Sequence, residues 1–157
     1  MIFSDGGSGR MIRHKIAYIN LSFFAHATED QEKVLLAAKN IFPAEYAEKI
    51  AFSKSTLKGE YGNPIIFFKT EIRDSEIAES LLHNISINLP VIDKEDLLQH
   101  LNLHLSGGNL YIRLNKQEAF KGKIRLCRAD PIRLQIRFKT SRAEEIREIC
   151  RLMGLLP

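Results

Sequence analysis

His26, Glu29 and Asp30 place an imidazole and two carboxylates close together in the chain, a set that could ligate a metal or move protons. A second account competes with that one. Acidic residues favour helix N-termini, so Glu29 and Asp30 are also what an approaching helix would require, with His26 as a hydrogen-bonding residue in the turn. His100 and His104 have the four-residue spacing of a helical metal pair, but neither an HExxH motif nor a nearby third ligand accompanies them. Gly59-Glu-Tyr-Gly-Asn-Pro64 has no Walker lysine and opens no helix, so it reads as a turn rather than a phosphate loop. Cys127 and Cys150 belong to no CxxC or Cys/His cluster, which argues against a zinc site or a disulfide framework.

Cations form the stronger pattern. In Ile132–Lys139, Ile132, Leu134, Ile136 and Phe138 alternate with Arg133, Gln135, Arg137 and Lys139. Residues two apart on a strand lie about 6.6 Å from each other on one face, close to the spacing of phosphates along a nucleic-acid backbone. Arg133, Arg137 and Lys139 therefore suit a phosphate rail, and Arg113, Lys116, Lys121, Lys123 and Arg125 could widen it. Gln117 and Gln135 add amide donors and acceptors. Tyr111 and Tyr61 are candidate stacking platforms for RNA bases. The same cations could simply solubilise an exposed sheet face, and the tyrosines could pack on cross-strand neighbours.

These residues need elements to position them. Ala17, Ile19, Leu21, Phe23 and Ala25 alternate with polar residues as a half-buried strand does, although Phe24 breaks the pattern. Thr28-Glu-Asp-Gln31 has the form of a capping box, and Val34, Leu35, Ala38, Ile41 and Phe42 follow with helical spacing before Pro43. Strands are expected at Lys49–Leu57 and Ile65–Arg73, joined as a hairpin. Asp74 or Ser75 should cap a second helix with Ile77, Ala78, Leu81, Leu82 and Ile85 on one side. Asp93 should cap a third, reaching Leu105 before Gly107-Gly108-Asn109. Then come a strand at Leu110–Leu114, a helical turn at Lys116–Phe120, a strand at Ile124–Cys127 and the Ile132–Lys139 strand. Ser141-Arg-Ala-Glu144 reads as a capping box for a last helix that buries Ala143, Ile146, Ile149, Cys150 and Met153 and ends at Gly154.

Alternating strands favour an α+β fold, a mainly antiparallel sheet with helices packed on one face and the other face left for ligands. The 157 residues, 45% hydrophobic and 27% charged, suit one domain with its own core. Residues 1–10, with Gly6-Gly7-Ser8-Gly9, read as a flexible extension before a single domain at 11–157. The longest apolar runs are far too short to span a bilayer, and no signal-peptide pattern is present, so the expectation is a cytoplasmic protein without a membrane partner. Charge is uneven. Between Leu110 and Arg151 there are 12 Lys/Arg against 5 Asp/Glu, whereas the remainder holds 11 against 14.

Four blocks occur together: Phe24-Ala-His-Ala-Thr-Glu-Asp30 with Glu32-Lys-Val34; Gly59-Glu-Tyr-Gly-Asn-Pro-Ile65; Asn109-Leu-Tyr-Ile-Arg-Leu-Asn-Lys-Gln-Glu-Ala-Phe120; and Asp130-Pro-Ile-Arg-Leu-Gln-Ile136. In this order, over residues 14–153, the chain resembles an archaeal family of RNA-binding proteins described as predicted exosome subunits. Phe120 stands where that family often has tyrosine, and residues 1–10 have no counterpart. The resemblance implies a fold like that of the large-subunit ribosomal protein that binds 5S ribosomal RNA. It also implies RNA, single-stranded or structured, as ligand and exosome components as partners, with neither nuclease activity nor a cofactor. The alternative is a protein-interaction subunit of an RNA-processing complex, docking through Phe24, Tyr111 and the hairpin loop. A metal-assisted hydrolase at His26, Glu29 and Asp30 is a third reading.

Overall fold

A computed structural model of the chain describes residues 15–157. The expected extension at residues 1–10 lies outside them. In β1 (Ile16–Ala25), Ile19, Leu21, Phe23 and Ala25 are buried while Asn20, Ser22 and Phe24 point to the other side. A bulge between Ile16 and Tyr18 absorbs Ala17 and resets the register. Then follow α1 (Gln31–Lys39), a short α2 (Ala44–Ala47), β2 (Ser53–Lys58), a 3-10 turn at Glu60–Gly62, β3 (Pro64–Ile72), α3 (Ser75–Asn88), α4 (Val91–Gln99) and α5 (Leu101–His104). The chain finishes with β4 (Leu105–Ser106), β5 (Asn109–Leu114), α6 (Lys116–Phe120), β6 (Ile132–Phe138) and α7 (Ala143–Met153).

The six strands form one sheet in the order β2-β3-β1-β6-β5-β4, and every pairing is antiparallel. The α+β expectation is met. Because side chains alternate across a strand, one face of this sheet carries Ile19, Leu21, Phe23, Phe68, Ile112, Leu134 and Ile136 into the core. Helices cover that face; for example, α3 buries Ala78, Leu81, Leu82 and Ile85, and α7 buries Ile146, Ile149, Cys150 and Met153. Phe23 anchors the centre, stacked on Phe68 with ring centroids 5.1 Å apart and meeting Phe52 edge-on at 5.5 Å. The opposite face stays open. None of the helices described is long and apolar enough to cross a membrane.

Several local expectations are corrected by tertiary contacts. Asp30 rather than Thr28 caps α1, accepting from the Glu32 amide at 3.0 Å, because the helix starts at Gln31, which puts Asp30 in the N-cap position. Asp74 caps α3 as expected. Asp93 does not cap α4, which already starts after Pro90; it lies in the first turn, 8% exposed, accepting from Arg125 Nε at 2.8 Å and the Leu126 amide at 3.0 Å. The same helix stops at Gln99 instead of running to Leu105. Ile124–Cys127 is not a strand but a single bridge, Leu114 to Leu126, in which the Asn115 amide donates to the Arg125 carbonyl at 2.9 Å and the Cys127 amide to the Arg113 carbonyl at 3.0 Å, while the Leu126 amide turns away from β5 to Asp93. Ser141 makes no capping box: Arg142 is the N-cap, without a side-chain bond, while its amide donates to Thr140 Oγ1. The first hairpin strand starts at Ser53, not Lys49, and is exposed along its length because it forms the sheet edge.

Candidate nucleic-acid interface

The open sheet face brings together residues from five strands. Arg113 on β5 is in direct register with Arg133 on β6, Arg133 with Ser22 on β1, Ser22 with Lys69 on β3, and Lys69 with Ser53 on β2. Adjacent strands lie about 4.8 Å apart, so this is a continuous transverse row with three cations. One residue pair along, Tyr111, Gln135, Asn20 and Glu71 form a second row. The amides there are ordered: Asn20 Nδ2 donates to Gln135 Oε1 at 3.1 Å, and Gln135 Nε2 donates to Asn109 Oδ1 at 2.9 Å. A third row sets Arg137 between Asn109 and Tyr18. Beside these rows lies a groove of about 710 Å³ bordered by Asn20, Ser22, Phe67, Lys69 and Gln135.

The nearest carboxylate along the face, Glu71 two residues from Lys69, is turned to Arg73 at 2.6 Å. Among the described residues no carboxylate pairs with Arg113, Arg133, Arg137, Lys69 or Lys139, whereas Arg73, Arg125, Arg142 and Arg151 each have an acidic partner. Arg133 instead spreads its guanidinium over the Phe24 ring, 5.5 Å from the centroid. Arg137 rests over Gly108, where a Cβ would lie 2.8 Å from Nη1, so the missing side chain makes room for the guanidinium. Lys139 is exposed just past β6, its amide tied to the Lys15 carbonyl at 2.9 Å.

Other expected site residues go elsewhere. Lys116 is 3% exposed and faces no solvent; its ammonium contacts the Phe24 carbonyl at 2.7 Å, Asp130 at 2.8 Å and Glu29 at 3.1 Å. It belongs to an internal ion cluster and not to the cationic row. Gln117 on α6 and Lys121, its C-cap, lie exposed and line a separate cavity of about 310 Å³ with Phe120 and Lys33. Arg125 is held by Asp93. Tyr61 sits at the tip of the β2–β3 hairpin, 97% exposed. Tyr111 is 42% exposed on the open face.

The enzyme-like triad is reassembled with a different acid. His26 Nε2 lies 3.0 Å from Asp130 Oδ1, the His26 amide donates to Glu29 Oε1 at 3.0 Å, and Asp30 is left as the helix cap. Ligand atoms of His26, Glu29 and Asp130 fall within 4.8 Å of one another, which would suit a cation. The Lys116 ammonium, however, already bonds both carboxylates, and a metal would have to displace that positive charge. Burial pushes the Asp130 carboxyl upward, but hydrogen bonds and charge from Lys116 and His26 outweigh it and hold the group below its ordinary range. The other histidine pair also separates: His100 Nδ1 turns to Asp96, 3.2 Å away, and His104 Nδ1 to the Tyr111 carbonyl at 2.9 Å.

A family model described as RNA binding matches residues 18–138. The chain belongs to this RNA-binding family. It is 33% identical over 134 residues to a protein of Pyrococcus abyssi named as an RNA-binding protein, with 84% of each chain covered. It is 32% identical to an uncharacterized protein of Methanocaldococcus jannaschii, covering 83% of this chain and 93% of that one. Among solved structures it resembles a protein from Archaeglobus fulgidus, with a TM-score of 0.74 and 31% identity, covering 88% of this chain and 99% of the other. The region matched by the RNA-binding family model begins within β1 and ends with β6, so it takes in the whole cationic row. Sequence reasoning missed Lys69, Asn20 and Phe67 on this face, and Asp130 in the ion cluster. For the aromatic part of the face the local signal was Phe24, an apolar residue at a position that alternation assigns to solvent.

Proposed function

We propose that the chain binds RNA without turning it over, holding the phosphate backbone on the open sheet face through Arg113, Arg133, Arg137, Lys139 and Lys69. The observation that carries this reading is the direct cross-strand opposition of Arg113 and Arg133. Like charges so placed repel, and a polyanion crossing the row would relieve that repulsion. Arginine forks suit phosphate oxygens, which carry no base identity, so recognition by this row is weakly sequence-dependent. His26, Glu29, Lys116 and Asp130 are assigned to structure, because their donors and acceptors satisfy one another.

A salt-series titration tests the proposal. With about four phosphates neutralised on a single strand, the log-log slope of affinity against salt is roughly −3, about fiftyfold weaker binding for fourfold more salt. The Arg133→Glu/Arg137→Glu double variant should lose most of the affinity and flatten the slope. A flat wild-type titration, or unchanged binding by the double variant, refutes the surface.

A protein contact is the second reading, favoured by Ile87, Val91 and Ile92, which are 57%, 64% and 68% exposed around the α3–α4 junction. Association with exosome components, implied by the sequence resemblance, would use such a surface away from the cations. Recovery of those components after nuclease treatment, and its loss on Val91→Glu/Ile92→Glu, tests it. The likeness to the 5S-RNA-binding ribosomal protein likewise rests on that resemblance, and structured RNA in the same titrations examines its consequence.

A further inference from the structure

Large aromatic rings on a solvent-facing sheet surface need an explanation that core packing does not provide. Phe24 and Phe67 are register partners on the open face, with ring centroids 5.1 Å apart and planes inclined by 45°. Both are only partly buried. Where β1 ends, the His26 ring follows at 6.5 Å from Phe24, oriented by its bond to Asp130. Past His26 lies a recess of about 400 Å³ lined by His26, Thr28, Tyr61 and Asn63.

Tyr61 is the unusual wall of this recess. Its backbone is left-handed, φ 58° and ψ 18°, a region that glycine and asparagine occupy more cheaply. Its side chain is almost wholly in solvent, so it contributes little to the fold at a position where a smaller residue would be less strained. Strained, exposed residues of this kind concentrate at ligand contacts.

These rings adjoin the cationic row. Phe24 lies two residues from Ser22 on β1, about 6.7 Å away on the same face, and Arg133 is shared between the Phe24 ring and the row. In an A-form duplex the bases are stacked inside and a protein meets mostly phosphates and 2′-hydroxyls, whereas single strands offer free base faces to aromatic side chains. We infer that the occupant of this face is a single-stranded RNA segment, with phosphates on Arg113, Arg133 and Lys69 and unpaired bases stacked on Phe24 and Phe67 and entering the His26–Tyr61 recess. The inference rests on the RNA-binding reading above and adds the form of the ligand.

The test compares a short unstructured oligoribonucleotide with the blunt duplex it forms with its complement, using the full chain and the variants Phe24→Leu, Tyr61→Asn and Arg113→Glu. Asparagine tolerates the left-handed backbone, so Tyr61→Asn removes the ring without disturbing the turn, and circular dichroism checks that Phe24→Leu is folded. Wild type should bind the single strand more tightly than the duplex. Phe24→Leu and Tyr61→Asn should each weaken single-strand binding by roughly fivefold to a hundredfold, the range for loss of one base stack, and leave duplex binding unchanged. A 2-aminopurine in the strand should be quenched by wild type and less so by Phe24→Leu. Duplex binding as tight as single-strand binding, or full single-strand affinity in both ring variants, overturns the inference. If Arg113→Glu still weakens binding in that case, the phosphate-binding face survives; if it changes neither ligand, that face fails as well. Binding of neither RNA form gives the aromatic patch to a protein.

Discussion

Lys116 Nζ lies 2.8 Å from Asp130 Oδ2 and is itself 3% exposed, so residues from two distant chain segments share one ammonium inside the molecule. Its other contacts, Glu29 Oε1 and the Phe24 carbonyl, use the remaining donors. The cationic row and this ion cluster thus meet at Phe24, whose ring lies under Arg133 and whose carbonyl accepts from Lys116.

Removing the ammonium leaves the Glu29 and Asp130 carboxylates facing each other with only the His26 amide and ring as partners. Lys116→Met should destabilise the fold by about 3 kcal/mol, the lower end for breaking a buried pair because both acids keep some hydration. For a chain of this size that is roughly 6–12 °C in melting temperature, readable by thermal denaturation. Retention of the wild-type midpoint would contradict the cluster's structural role.

The same cluster sets a dependence on pH. The Asp130 carboxyl is held below its ordinary range, so its contribution is complete above the unfolded-state value near about 4 and fades as pH falls through the lower folded-state value. Melting temperature of the wild type should therefore drop more steeply on acidification than that of Asp130→Asn. The gap between the two should be largest near neutrality and narrow in acid.

Arg113 and Arg133 trade fold stability against ligand binding. Relief of a directly opposed like-charge pair is worth roughly 0.2–1 kcal/mol, so Arg113→Gln should melt no lower than wild type, and slightly higher at low salt. It should at the same time weaken RNA binding and reduce the salt slope by about 0.7, one phosphate contact on a single strand. A variant that loses stability and binding together would show that Arg113 serves the fold.

The two thiols should separate cleanly. Burial pushes the Cys150 thiol up to about 12, and its place on the inner side of α7 keeps reagent out. Cys127 is only partly buried, with burial and the Asp130 charge raising its pKa as well. A thiol reagent should label Cys127 slowly in the native protein and reach Cys150 only in denaturant, a difference visible by mass spectrometry.

The sequence by itself determined the elements whose residues report their surroundings through periodicity. Ile132, Leu134, Ile136 and Phe138 alternate with Arg133, Gln135 and Arg137 because a strand has only two sides, and one must be dry. Helical spacing identifies the inner sides of α3 and α7 for the same reason, and alternation places Arg113, Arg133 and Arg137 outward before any pairing is known. Tertiary structure alone decided the rest. Alternation cannot specify register, so the alignment of Arg113, Arg133, Ser22 and Lys69 into one row required the strand order. Capping residues are legible only until a stronger competitor arrives: Asp93 was drawn to Arg125 and the Leu126 amide, and Glu29 to Lys116. A lysine in a basic stretch looks like a solvated cation until two acids from elsewhere in the chain surround it. Lys116 went inside because Glu29 and the Phe24 carbonyl, far away in sequence, joined Asp130 in offering the partners that made its burial affordable, and no local pattern encodes partners at that distance.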